Sequence, residues 1–145
     1  MNEIDSLYTD LIMEHSMNSE YKHHIHQANH SQKGHNPSCG DEITLELNIV
    51  DGVLEDMGFV GHGCAISQSS TSIMIETLLG KSIPEALEIT QRFMDMIKRE
   101  ITDEEELEIL EDAIAFQNIS NMPSRVKCAV LAWHTLNDIL LEETK

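Results

Sequence analysis

At 145 residues, 41% of them hydrophobic and with no break in composition, the chain suits a single domain spanning 1–145 around one core. Its formal net charge of -17, from 9 basic against 26 acidic residues, argues against nucleic acid as a partner, because that affinity rests on neutralising phosphates with Lys and Arg. No apolar run reaches the roughly 20 residues of a membrane span and the first residues lack a basic-then-apolar leader, so a cytoplasmic protein with no membrane contact is expected.

The elements follow in order. Ile4, Leu7, Tyr8, Leu11, Ile12 and His15 recur at helical spacing behind Asn2 and Asp5, which predicts an amphipathic helix ending near Met17. From Tyr21 to Ser38 the pattern vanishes into a His-, Asn-, Gln- and Ser-rich stretch that reads as a loop. Ile43, Leu45, Leu47 and Ile49 alternate with polar residues as in a half-buried strand, Asp51-Gly52 supplies a type I′ turn, and Val53 to Val60 returns. Ala65 to Leu79 reads as a helix stopped by Gly80, its serine-rich first half needing tertiary support. Ser82 caps a short helix over Pro84 to Glu88. Phe93, Met96, Ile97 and Ile101 predict a helix from about Thr90. Leu107, Leu110, Ile114 and Ile119 predict another behind the acidic run Asp103 to Glu106. The last helix runs from Met122-Pro123 to about Glu142, with Trp133 packing on the N-terminal helix or the sheet. The expected fold class is α+β, a small antiparallel β-sheet packed against a layer of helices.

The chemistry centres on His35 to Asp41, which places Cys39 and Asp41 two residues apart on a turn. With a two-residue hairpin loop, Val50 faces Val53, and the register continued outward sets Asp41 opposite His62 and Cys39 opposite Cys64. Met57 and Phe59 then fall on the wrong face, so either both faces are covered or a bulge shifts the pairing by one. Cys39, Asp41, Cys64 and Cys128 read as one metal site. Such a set suits Zn2+ or an iron-sulfur cluster, and buried inert thiols remain the plain alternative. Cys64 stands just before a helix N-terminus, where the macrodipole favours a thiolate. His62 is expected to be an exposed polar side chain, and the histidines between Lys22 and His35 a solvated loop. Arg125 either offsets an anionic site or lies on the surface, and the acidic run is read as a solvated helix start.

Three motifs, in order, carry a resemblance. They are Asn36-Pro37-Ser38-Cys39-Gly40-Asp41, then Gly61-His62-Gly63-Cys64-Ala65-Ile66-Ser67 with the serines to Met74, and Arg125-Val126-Lys127-Cys128-Ala129 with Leu131-Ala132-Trp133. Together they resemble the SufU branch of the IscU-like (NifU N-terminal) family over almost the whole chain. The resemblance implies zinc held by Cys39, Asp41, Cys64 and Cys128, with Cys39 accepting persulfide sulfur from a SufS-type cysteine desulfurase for iron-sulfur cluster assembly and passing it on to a SufBCD-type scaffold. It implies a sulfurtransferase in which a desulfurase ligand frees Cys39 from zinc. Three features point to SufU over IscU: Lys127 replaces the His that precedes the third cysteine, Thr90 to Leu107 supplies a helical insertion, and Asn121 to Arg125 stands where IscU has its chaperone-binding segment. The alternative within the family is a non-enzymatic scaffold binding a nascent [2Fe-2S] cluster.

Overall fold

In the computed structural model, which describes residues 3–17 and 19–144, a three-stranded antiparallel sheet in the order β1-β2-β3 is covered by helices. Helix α1 (Glu3–Met17) precedes β1 (His30–Asn36), β2 (Asp41–Val50) and β3 (Val53–His62). Then come α2 (Ala65–Leu78), α3 (Ile83–Ile97), a single turn α4 (Glu104–Leu107), a 3-10 stretch (Glu108–Asn121) and α5 (Pro123–Glu143). The expected α+β class is the observed one. Leu11 and Ile12 pack on the core, whereas Asn2 and the side chains of Ile4, Leu7 and Tyr8 lie outside the described residues.

Asp51 and Gly52 take the positive φ values, 54° and 77°, that a type I′ turn requires. Val50 pairs with Val53 and Ile49 with Leu54 as expected, but the register slips at Asn48/Ile49. Beyond it Leu47 meets Met57 and Leu45 meets Phe59, which puts all four buried side chains on one face. Burial of Met57 and Phe59 thus selects the bulge. The slip overturns the simple register: Glu42, not Asp41, lies opposite His62, and Asp41 pairs with Asn36 on β1.

Strand β1 corrects the loop reading of Tyr21 to Ser38. His30–Asn36 has no apolar alternation, and it is a strand because β2 and α5 make it one. Its inward face holds small or polar groups, Gly34 and Asn36. A Cβ at Gly34 would collide with Thr135 Oγ1, so glycine lets α5 lie directly on the edge strand.

Two helical readings are also corrected. The segments at Pro84–Glu88 and from Thr90 are one helix, α3, since Ala86, Ile89, Phe93, Met96 and Ile97 form an unbroken buried ridge and nothing between them interrupts it. Its start is as expected, with Ser82 and Glu85 in a reciprocal capping box, while Ile101 falls beyond its end. The stretch after Leu107 is a 3-10 helix, interrupted at Glu111 (φ 50°, ψ -125°). Leu107, Leu110, Ala113, Phe116 and Ile119 are buried at intervals of three, and only a helix of three residues per turn brings such a set onto one face.

Trp133 is fully buried in the core that the sheet and helices share. It stacks on Phe93 of α3, with ring centroids 4.0 Å apart, and its Nε1–H donates to Ser70 Oγ at 3.0 Å. Ser70 in turn donates to the Ala129 carbonyl at 2.5 Å, while Ser69 and Thr71 donate to carbonyls four residues back. Ser69, Ser70 and Thr71 of α2 are therefore satisfied internally and by α5, and their small side chains let the two helices meet closely.

Candidate metal centre

Four elements converge at one end of the sheet. Residues 37–40 form the turn between β1 and β2 and carry Cys39, Asp41 opens β2, Cys64 is the N-cap of α2, and Cys128 lies on the second turn of α5. Ligand atoms of Cys39, Asp41 and Cys128 lie within 4.8 Å of one another, with Cys128 Sγ 3.0 Å from Cys39 Sγ. Cys64 is outside that tight set, although its half-buried thiol acts on Cys128.

Asp41 is fully buried. Its Oδ1 accepts the Cys64 backbone N–H at 2.9 Å, which ties the start of β2 to the start of α2, while Oδ2 has no hydrogen-bond partner. A buried carboxylate oxygen left bare beside thiols costs free energy unless a cation completes it. Three thiols and a carboxylate oxygen are donors that zinc takes in tetrahedral sites, and thiolates are also the ligands of iron-sulfur clusters, so these residues fit such a metal. Gly63 keeps the cradle open: a Cβ there would stand 2.5 Å from Asp41 Oδ1 and would strike Ser67 Oγ.

The thiols differ in setting. Cys128 is completely buried, and burial pushes its thiol well above the ordinary range, with hydrogen bonds to Cys39, Cys64 and Asp41 adding to the rise. Cys39 is partly exposed and its thiol donates a long hydrogen bond to Ser124 O at 3.9 Å. Arg125 lies beside the thiols, and its hydrogen bond to Cys128, then the charge of Cys64, raises its already high value further. Its interactions run to the thiol cluster. Asn36 was quoted only as part of a motif, but it is buried and its Nδ2–H points at Cys128 Sγ from 3.8 Å. Its place at the end of β1, paired with Asp41 across the sheet, was not legible while β1 was read as loop.

His62 is exposed and 3.6 Å from Glu42, away from the thiols. His24 pairs with Glu46 and His30 with Glu143, and among the described residues none of the histidines from His23 to His35 belongs to a set of three metal-competent groups.

This is a small α+β domain carrying a thiol and carboxylate centre at the junction of its sheet and helices. Residues 7–140 match the NifU-like N terminal domain family, and the chain belongs to it, among its IscU/SufU-like members. It is 37% identical over 134 residues to the iron-sulfur cluster assembly scaffold protein IscU of Thermotoga maritima, covering 92% of each chain. It is 36% identical over 141 residues to the zinc-dependent sulfurtransferase SufU of Bacillus subtilis, covering 97% of this chain and 93% of that one. A crystal structure from Fervidobacterium islandicum AW-1, described as an iron-sulfur cluster assembly scaffold protein for the SUF system, superposes with a TM-score of 0.86 at 39% identity, over 93% of this chain and 97% of that chain. Among the described residues no helix is long and apolar enough to cross a membrane.

Proposed function

We propose that the chain is a sulfurtransferase of iron-sulfur cluster assembly, in which Cys39 accepts persulfide sulfur from a SufS-type cysteine desulfurase. Cys39, Asp41, Cys64 and Cys128 would hold zinc, which when bound keeps the thiols deprotonated and the centre closed. The carrying observation is the contrast between a partly exposed Cys39 on a turn and a fully buried Cys128 only 3.0 Å from it.

The step balances without a redox partner. The Cys39 thiolate attacks the outer sulfur of the desulfurase persulfide, a new S–S bond forms on Cys39, the old S–S bond breaks, and its electron pair leaves on the desulfurase cysteine as thiolate. Burial of Cys128 and Asp41 keeps them from competing for the persulfide, Arg125 offsets negative charge where the two anionic sulfurs approach, and Pro37 and Gly40 flank the turn that must deliver Cys39. The sulfur would then pass to a SufBCD-type scaffold.

Lys127 immediately before Cys128 supports transfer over cluster building. The scaffold reading, with a [2Fe-2S] cluster as cargo on the same residues, draws support from the relatives whose names call them scaffolds. Anaerobic purification with quantification of zinc and iron, followed by incubation with a SufS-type desulfurase and L-cysteine, separates the two. Sulfur transfer gives zinc, faster desulfurase turnover and a persulfide on Cys39 that Cys39→Ala abolishes. Acceptance by Cys39→Ala at the wild-type rate would refute the assignment, and stoichiometric iron with acid-labile sulfide and no acceleration would select the scaffold.

A further inference from the structure

Apart from the thiol centre, one other set of metal-competent side chains converges among the described residues. His15 of α1, Glu76 of α2 and Asp112 of the 3-10 stretch each offer a ligand atom, and these atoms lie within 4.8 Å of one another. Glu76 is eleven residues along α2 from Ala65, about 16 Å of helix at 1.5 Å per residue, so this cluster is separate from the thiols.

The imidazole is held in place. Its Nδ1 lies 2.7 Å from Ser72 Oγ, which Ser19 Oγ also reaches at 2.7 Å. With Nδ1–H donating to Ser72, Nε2 offers its lone pair towards Glu76 Oε2, 3.0 Å away. Metal-bound histidines are built this way, with an outer hydrogen bond fixing the tautomer while the other nitrogen binds. Two lone pairs facing each other at that distance repel unless a proton or a metal ion lies between them. Two further carboxylates, Glu20 and Glu111, lie near enough to act on Glu76, so the surroundings favour a cation. The His15 side chain is 16% exposed and that of Glu76 41%, so the cluster has a seated nitrogen and a solvent-facing carboxylate side through which an ion can enter.

We propose that His15, Glu76 and Asp112 form a second metal site, for a first-row divalent cation such as Zn2+, Co2+ or Mn2+, with water in the remaining positions. One imidazole and two carboxylates form a nitrogen and oxygen set, harder than the thiol centre and selective for a different coordination chemistry. Its ligands come from three elements, so an ion there clips α1 to α2 and to the 3-10 stretch. Helix α1 also supplies Thr9, Ile12 and Met13 to one wall of a 650 Å³ groove that continues to Ala65 and Ile66, next to Cys64. The cation therefore steadies a wall of the surface beside the thiols, and the site stands whether or not Cys39 transfers sulfur.

The test uses the full chain with its thiol centre loaded with zinc, titrated with Co2+ under equilibrium dialysis and followed by absorbance. The expected result is one further equivalent of Co2+ without a thiolate-to-cobalt charge-transfer band, together with slower proteolytic cleavage within α1. Asp112→Asn should keep the zinc and bind that equivalent at least about 10-fold more weakly. His15→Ala should do the same but also removes the Ser72 contact, so Asp112→Asn, which leaves that contact intact, decides the matter. The proposal is overturned by no further equivalent, by unchanged Co2+ binding in Asp112→Asn, by a charge-transfer band accompanying the added metal, or by loss of binding only when His23, His24 and His26 are replaced.

Discussion

The turn carrying Cys39 and the helix start carrying Cys128 bring two thiols within 3.0 Å of each other by opposite means. On the α5 side everything is fixed. Cys128 is fully buried, Ala129 next to it accepts from Ser70, and Trp133 a turn later is stacked on Phe93 and bonded to the same serine. On the sheet side the edge strand is polar, Cys39 is partly open to solvent, and its thiol makes only a long 3.9 Å bond to the Ser124 carbonyl. A centre whose ligands were all held as Cys128 is would bind metal and do nothing more. Fastening one thiol and leaving another on a turn is the arrangement that the proposed sulfur transfer requires, since one sulfur can then move while the other stays.

The strongest way to break this comparison is to exchange the fates of the two cysteines. Cys39→Ala is expected to leave the metal-free protein within about 0.5 kcal/mol of wild type, as for a partly exposed side chain, while losing sulfur acceptance altogether. Cys128→Ala should lose metal, with affinity falling more than about 10-fold. Metal analysis and thermal denaturation of the metal-free proteins, run in parallel, read both effects. Equal destabilisation by the two variants would show that Cys39 is as firmly built in as Cys128.

A smaller effect tests whether the α2–α5 seam is what fixes Cys128. Ser70→Ala leaves the buried Trp133 Nε1–H without its acceptor and removes the second donor to the Ala129 carbonyl. An unsatisfied buried group costs about 1–3 kcal/mol, and for a chain of this size each kcal/mol lowers Tm by about 2–4 °C. Calorimetry should therefore show a clear fall in Tm, with metal held less tightly even though no ligand has changed. An unaltered Tm would mean the seam is not what positions α5.

Legibility followed the same divide. Elements whose apolar residues face one core could be read: the β2–β3 hairpin from its alternation and Asp51-Gly52, α2 from its length, α5 from Pro123 onward. Strand β1 could not, because His30–Asn36 owes its conformation to partners and buries a glycine and an asparagine where a reader looks for Val or Ile. The 3-10 stretch was misread because a period of three resembles a helical period over a short window, and Phe116 went unnoticed as a result. The register of the hairpin was decided by the burial of Met57 and Phe59, which only a covered face can reveal. For the centre, the sequence named its donor residues from motifs, but the reason offered for their meeting, Cys39 opposite Cys64 across the hairpin, does not hold. Cys39 meets Cys128 instead, through β1 lying against α5, and both the strand and the glycine that permits the approach were invisible to periodicity.

The smallest effect sharpens the comparison from the loose side. Glu46 on β2 reaches back to the segment before β1, with Oε1 accepting the Ile25 backbone N–H at 3.0 Å and Oε2 lying 3.1 Å from His24 Nδ1. Burial pushes this carboxyl up, but the bonds from His24 and Ile25 and the nearby positive charge of His24 and His23 outweigh it, so the folded-state value lies below the ordinary one. A lowered carboxylate contributes stability in full above the usual carboxylate range and loses it as pH falls through its folded-state value, because the unfolded chain then takes up the proton first. Glu46→Gln should therefore melt slightly below wild type near neutrality, with the gap closing as pH is lowered past that range. Amide exchange should quicken at Ile25 and along β1 while α5 is unchanged. A gap that persists in acid, or exchange that quickens equally in α5, would mean that the sheet side carrying Cys39 and the helix side carrying Cys128 open together, and that the turn has no mobility of its own to lend to sulfur transfer.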